Sequence, residues 1–158
     1  NRPKDEADLE EGRRALEAEI AFQKGDAALS HSQFAKAEEF FRTASESYPE
    51  EGEYLAHWAL AAYLAAPDQA GRLQESIEMA LQARKLSPQR EKTYLALGKL
   101  YKAADRLSIA ERMFARAVEL DPDCLEAVRE LRLLDMRRSR KGLRQGPGFL
   151  RRLWRRSG

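Results

Sequence analysis

Three prolines, Pro49, Pro88 and Pro122, each close a segment of the same design. The clearest segment reads Tyr94-x2-Leu97-Gly98-x2-Tyr101, then Ala110-x3-Phe114-x2-Ala117 and Pro122, which is the spacing of a helix, a short turn and a second helix. The small residues Gly98 and Ala110 let the two helices approach closely, and Tyr101 and Phe114 fill the space around that contact. Moved back along the chain, the template finds Gly25, Ala37, Phe41, Ala44 and Pro49 within residues 18–51, agreeing at five of eight positions. A middle unit has Leu55, Trp58, Ala59 and Ala62 on its first helix and Ser76, Ala80 and Ala83 on its second. Its bounding prolines stand 39 residues apart, against 34 for the next pair, so five extra residues must be housed. The stretch "AAPDQAGR", with Pro67 and Gly71, breaks the helical pattern and is expected to house them, between Pro67 and Arg72, as a longer inter-helix turn.

On these residues the sequence resembles the tetratricopeptide repeat family over about residues 18–124, with Tyr94 where Trp is the commoner choice. The resemblance implies an all-α, right-handed superhelical solenoid of helix-turn-helix repeats at about 18–51, 52–90 and 91–124. A repeat array leaves an apolar face open at each end, so both ends need caps. Residues before the first unit continue in one helical pattern with acids in the early turns. After the third, Asp123 is expected to cap an end helix over about 123–141, in which Leu125, Val128, Leu131 and Leu134 recur. The solenoid then occupies 1–141, and 142–158 form a separate basic tail. The stretch "KGDAALSHSQFAKAEEFFRTA" with the basic ending also resembles the repeat regions of bacterial multidomain proteins, where such repeats follow a J-domain or a receiver-like domain. Nothing of a J-domain is present in these residues.

The formal charge of +2 conceals an asymmetry. Residues 1–135 hold all 26 acids and 19 bases, a net of −7, whereas 136–158 hold nine bases and no acid. The two parts are expected to meet different partners. A lone cysteine, Cys124, suits a reducing compartment, and no apolar run has the length of a membrane span or signal core, so a cytoplasmic location is the expectation. A chain starting at Asn1 reads as a processed protein or a piece of a longer one.

Catalytic chemistry is not indicated. His31 and His57 lie far apart and in no metal-ligand spacing, so neither metal nor cofactor is expected. Cys124 has no identifiable base, and Gly142, Gly146 and Gly148 form no phosphate loop. A non-enzymatic interaction scaffold or adaptor is therefore the expected function.

Two surfaces are candidates for partners. The resemblance places Glu19, Phe22, Asp26 and Leu29 of the first unit on the concave face, with Glu53, Ala56, Leu60 and Tyr63 of the second and Lys92, Leu95, Lys99 and Lys102 of the third. That is a groove acidic at one end, apolar in the middle and basic at the other, suited to a peptide or amphipathic helix of a partner protein. Family members that clamp chaperone tails use Lys and Asn in the first unit, Asn in the second and Lys and Arg in the third. The matching positions here hold Phe22, Asp26, His57, Lys92 and Ala96, so no such clamp is expected.

The second surface is the tail "FLRRLWRR". On a helix, Phe149, Leu150, Leu153 and Trp154 fall on one side and Arg151, Arg152, Arg155 and Arg156 on the other, whereas a strand would mix them. At about two turns it needs something to fold against. An anionic membrane surface, a protein groove and the chain's own acidic body compete for it, which leaves a membrane-peripheral location open. Nucleic acid is the unlikely partner, since no recognition fold surrounds the charge.

Overall fold

The computed structural model describes residues 2–141. Among these the chain is all α, a solenoid of seven helices: α1 Arg2–Ser30, α2 Phe34–Ser47, α3 Gly52–Ala65, α4 Gln69–Leu86, α5 Glu91–Ala103, α6 Leu107–Leu120 and α7 Leu125–Arg140. Each helix packs on the ones before and after it, and α3 also packs directly on α5. The tail residues Phe149–Arg156 lie outside the described residues.

The second helix of each pair ends in the same way. The Ala44, Ala83 and Ala117 carbonyls accept the backbone N–H groups of Tyr48, Ser87 and Asp121, and a proline follows at once. Proline lacks the N–H that would continue the helix, so it marks the stop. All three alanines are fully buried.

Within the pairs, the expected close contact is present twice. A methyl group added at Gly98 would lie 2.5 Å from the ring of Phe114, and one at Gly25 would lie 2.6 Å from the ring of Phe41. Both rings are fully buried, so only hydrogen fits at either glycine. The turns of these two pairs are equivalent as well. Gln33 donates to the Ala28 carbonyl and Ser32 to that of Leu29; Arg106 donates to Tyr101 and Asp105 to Lys102. Ser32 (φ 56°) and Asp105 (φ 57°) are both left-handed there, as this helix ending requires.

The middle pair departs from both the template and the expectation. Its turn, Ala66 to Asp68, is no longer than the others, and the extra residues lie in helix: α4 is four residues longer than α6, and α3 one longer than α5. The reason is local. Asp68 accepts the Gly71 N–H at 3.0 Å and starts α4 immediately after Pro67, so the stretch read as a breaker is a helix start. Asp123 likewise does not cap α7. Cys124 occupies that position with no side-chain bond, and the Asp121 carboxylate instead accepts the Asp123 N–H at 3.0 Å.

Two buried clusters meet on α3. Ala18, Phe22, Phe41 and Ala44 pack with Tyr54 and Ala61 of α3, while Ala56, Ala59 and Leu60 of α3 join Leu97, Leu100, Phe114, Leu131 and Leu134. A helix covered on both sides has no use for a polar stripe, which explains the nearly uncharged "GEYLAHWALAAYLA". Its start abuts the end of α4 so closely that a methyl group at Gly52 would lie 2.2 Å from the Ala83 carbonyl oxygen. The Gly52 N–H donates to Ser87 Oγ at that junction (2.8 Å).

Candidate functional site

The first helices of the pairs, α1, α3 and α5, form one wall, and their side chains bind one another across it. Tyr54 donates its hydroxyl to Glu19 at 3.1 Å, linking α3 to α1. Lys92 stands 3.8 Å from Glu53, linking α5 to α3, and its ammonium lies 5.5 Å from the centre of the Phe22 ring on α1. Three helices thus converge at Phe22 and Lys92. On the same wall, Lys102 donates to Glu130 of α7 at 2.6 Å and Lys99 pairs with Glu126. The end helix therefore takes the place of a further first helix, with its carboxylates neutralising the basic end of the groove.

His57 is the centre of this junction. Its ring packs edge-on against Phe22 (4.8 Å between centroids) and tilted against Phe41 (5.2 Å), and its Nδ1 lies 2.8 Å from the Glu53 carbonyl. Burial holds its pKa down to about 4; the Glu53 carbonyl and the Asp26 carboxylate oppose the shift, and Lys92 and Lys99 add to it. At neutral pH the ring is uncharged, so Nδ1 carries the hydrogen donated to Glu53 and Nε2 is an acceptor. Burial also raises the Glu53 carboxyl, against the pull of Lys92, and raises the Tyr54 hydroxyl to about 12, aided by Glu19. Charge on this wall is thus costly unless it is paired.

The residues expected to line the groove lie at two depths. Phe22, Ala56, Leu60 and Leu95 are buried between helices and form its floor. The apolar middle of the groove is accordingly packed rather than open, because each of these side chains is covered by a neighbouring helix pair. Asp26, Leu29, Tyr63, Lys92, Lys99 and Lys102 stay partly exposed above it. Glu126 and Glu130, the partners of Lys99 and Lys102, were not among the residues expected at the groove. Their spacing of four, facing lysines spaced by three, was the signal for two adjacent helix faces.

Cys124 is half-buried, and burial raises its thiol above the ordinary value, the opposite of an activated nucleophile. Among the described residues, no group of three or more His, Cys, Asp or Glu is placed to hold a metal ion. None of the described helices is long and apolar enough to cross a membrane.

Residues 91–124, the α5–α6 pair with its turns, match the tetratricopeptide repeat family model. The chain thus contains a tetratricopeptide repeat. Solved structures of such domains are similar to it along most of their length. The Arabidopsis OM64 tetratricopeptide domain is 22% identical with a TM-score of 0.60, covering 78% of this chain and 98% of that one. The Sgt2 domain of Aspergillus fumigatus is 19% identical with a TM-score of 0.63, over 83% and 85% respectively. The first repeat domain of Spaghetti (RPAP3), solved with the HSP90 peptide SRMEEVD, is 19% identical with a TM-score of 0.62, over 79% and 98%. Likeness at this level of identity concerns the fold. No curated protein sequence matches the chain.

Proposed function

We propose that this tetratricopeptide solenoid is a non-enzymatic adaptor that holds a peptide or helix of a partner protein on its concave wall. The observation that carries this reading is the junction of Phe22, His57 and Lys92. It locks three first helices into one preorganised surface and leaves the polar ends of Asp26, Tyr63, Lys92 and Lys99 partly exposed on it. A fixed wall with a few accessible polar groups over a packed floor suits recognition of an extended segment by side-chain hydrogen bonds and charge pairs. The Spaghetti (RPAP3) domain, similar in fold and bound to the HSP90 peptide SRMEEVD, supports a peptide as the kind of ligand.

The ligand we infer differs from that of Spaghetti. A terminal carboxylate clamp needs converging cationic and amide donors, whereas here Phe22 and Ala96 are buried and apolar and Asp26 is anionic. Of the five matching positions only Lys92 offers an ammonium, and Glu53 is already beside it. Titration with the SRMEEVD peptide should give no saturable binding in the micromolar range; micromolar saturation would restore a chaperone-tail function.

The general reading is tested by capture from the native lysate with Tyr63→Ala and Lys92→Gln variants. Both side chains are partly exposed, so helicity should persist while the captured partner is lost. Retention by both would move recognition off this wall. Leu60→Glu is the wrong test, since a buried carboxylate would unfold the repeat.

A second reading rests on the tail, whose apolar and cationic residues separate completely on a helical wheel. Under it the repeats are a scaffold on an anionic membrane. The chain would then float with anionic liposomes at low salt, and Phe149→Ser with Trp154→Ser would release it.

A further inference from the structure

Both ends of the solenoid expose apolar side chains in helices that are otherwise well packed. On α1, Leu9, Leu16 and Ile20 are 74%, 62% and 46% exposed. At 100° per residue they fall within about 40° of one another, on the side facing away from the buried Ala18, Phe22 and Gly25. On α7, Leu125, Leu133 and Met136 are at least half exposed. They share an arc of about 100° with Arg129, Arg132 and Arg140, opposite the buried Ala127, Leu131 and Leu134.

The two faces carry opposite charge. Residues 2–20 of α1 contain seven acids and four bases, with Glu6 and Glu17 beside the apolar stripe on one flank and Glu19 on the other. Of the bases on this side, Arg13, at the stripe's edge, is already paired with Glu10 (2.5 Å) and Glu17 (2.8 Å), and Arg2 lies at the stripe's own angle at the start of the helix. The α7 arc holds three arginines and no acid. Of the acids on α7, Glu126 and Glu130 are bound to Lys99 and Lys102, and Asp135 lies about 60° outside the arc; Arg138, also outside it, is bound to Glu111. Five helices stand between α1 and α7, and the two pack on different neighbours, so neither face covers the other within one copy.

We propose that these faces cover each other between copies: the α7 face of one chain docks on the α1 face of the next, apolar stripe on apolar stripe, with Arg129 and Arg132 near the flank that carries Glu6. Such a contact joins two different surfaces, so each added copy leaves one of each exposed and growth does not stop at two. It continues the stacking by which the repeats themselves bury their open faces.

The test is the solution mass of the full chain by light scattering or sedimentation, against concentration and salt. The expected result is a mass that rises above 18.0 kDa with concentration, passes two copies and falls back as salt screens the arginines. A Leu9→Glu/Leu16→Glu variant and a Leu133→Glu/Met136→Glu variant should each remain single, with unchanged helicity because these positions are exposed. Mixed, they should form pairs and nothing larger, since each keeps one intact face. A form ending at Lys141 should still associate. The proposal is overturned by a chain that stays single at low salt and high concentration, by a dimer that survives the α7 substitutions, or by association that vanishes with the tail.

Discussion

The first and third repeats share a frame and differ in what fills it. Gly25 against Phe41 and Gly98 against Phe114 are the same contact, and Ser32 and Asp105 hold the same left-handed turn. Phe114 belongs to a buried cluster made mainly of Leu and Ala, among them Leu97, Leu100, Ala110 and Ala117, together with Tyr94 and Tyr101. Around Phe41 they are aromatic and titratable: Phe22 at 5.6 Å and His57 at 5.2 Å, with Tyr54 against Phe22. One backbone arrangement thus supports an inert core at one end and a polar junction at the other. The shared positions specify the fold, and the unshared ones are free to carry function.

The comparison breaks most severely at the rings. Phe114→Ala and Phe41→Ala should each cost about 3–5 kcal/mol, read from denaturant midpoints at constant m-value. If the two cores differ as described, only Phe41→Ala also moves the His57 titration, upward toward the ordinary value, as water reaches the ring; NMR titration of that imidazole measures it. An unmoved His57 would mean that Phe41 does not keep it dry.

Protonation separates the repeats next. Burial lowers His57 from its ordinary 6.5 to about 4, so between those pH values the unfolded chain binds a proton that the folded chain refuses. Stability should therefore fall as pH drops from about 6.5 to about 4, by up to roughly 3 kcal/mol, with no further loss from this group below that window. A His57→Gln variant should flatten that part of the pH profile, while Phe114→Ala should leave its slope unchanged.

The glycines should give matched, smaller effects. Gly25→Ala and Gly98→Ala each force a methyl group onto a fully buried ring, for a loss of about 1–3 kcal/mol by thermal unfolding. A clearly smaller loss at Gly25 would mean that the aromatic core can shift where the aliphatic one cannot. Smallest of all are the turns. Ser32→Gly should stabilise by about 0.5 kcal/mol through relief of the left-handed backbone, whereas Ala66→Gly in the middle turn, where φ is −67°, should destabilise by a similar amount.

Sequence by itself determined the repeating helix pairs, their proline stops, the two glycine–phenylalanine contacts and the single long first helix. All of these are consequences of spacing along one or two neighbouring helices, where a 3.6-residue period and the lack of a Cβ or an N–H act directly. Tertiary structure alone decided the rest. It turned the extra residues near Pro67 into helix because Asp68 could cap them. It buried Phe22, Ala56, Leu60 and Leu95, which the family resemblance had assigned to the groove surface, gave Lys99 and Lys102 their partners on α7, and surrounded His57 with residues from four helices. The physical reason is that periodicity reports which side of a helix a residue occupies. How deep it sits, and what charge it meets there, depends on the volume and reach of side chains supplied by distant parts of the chain.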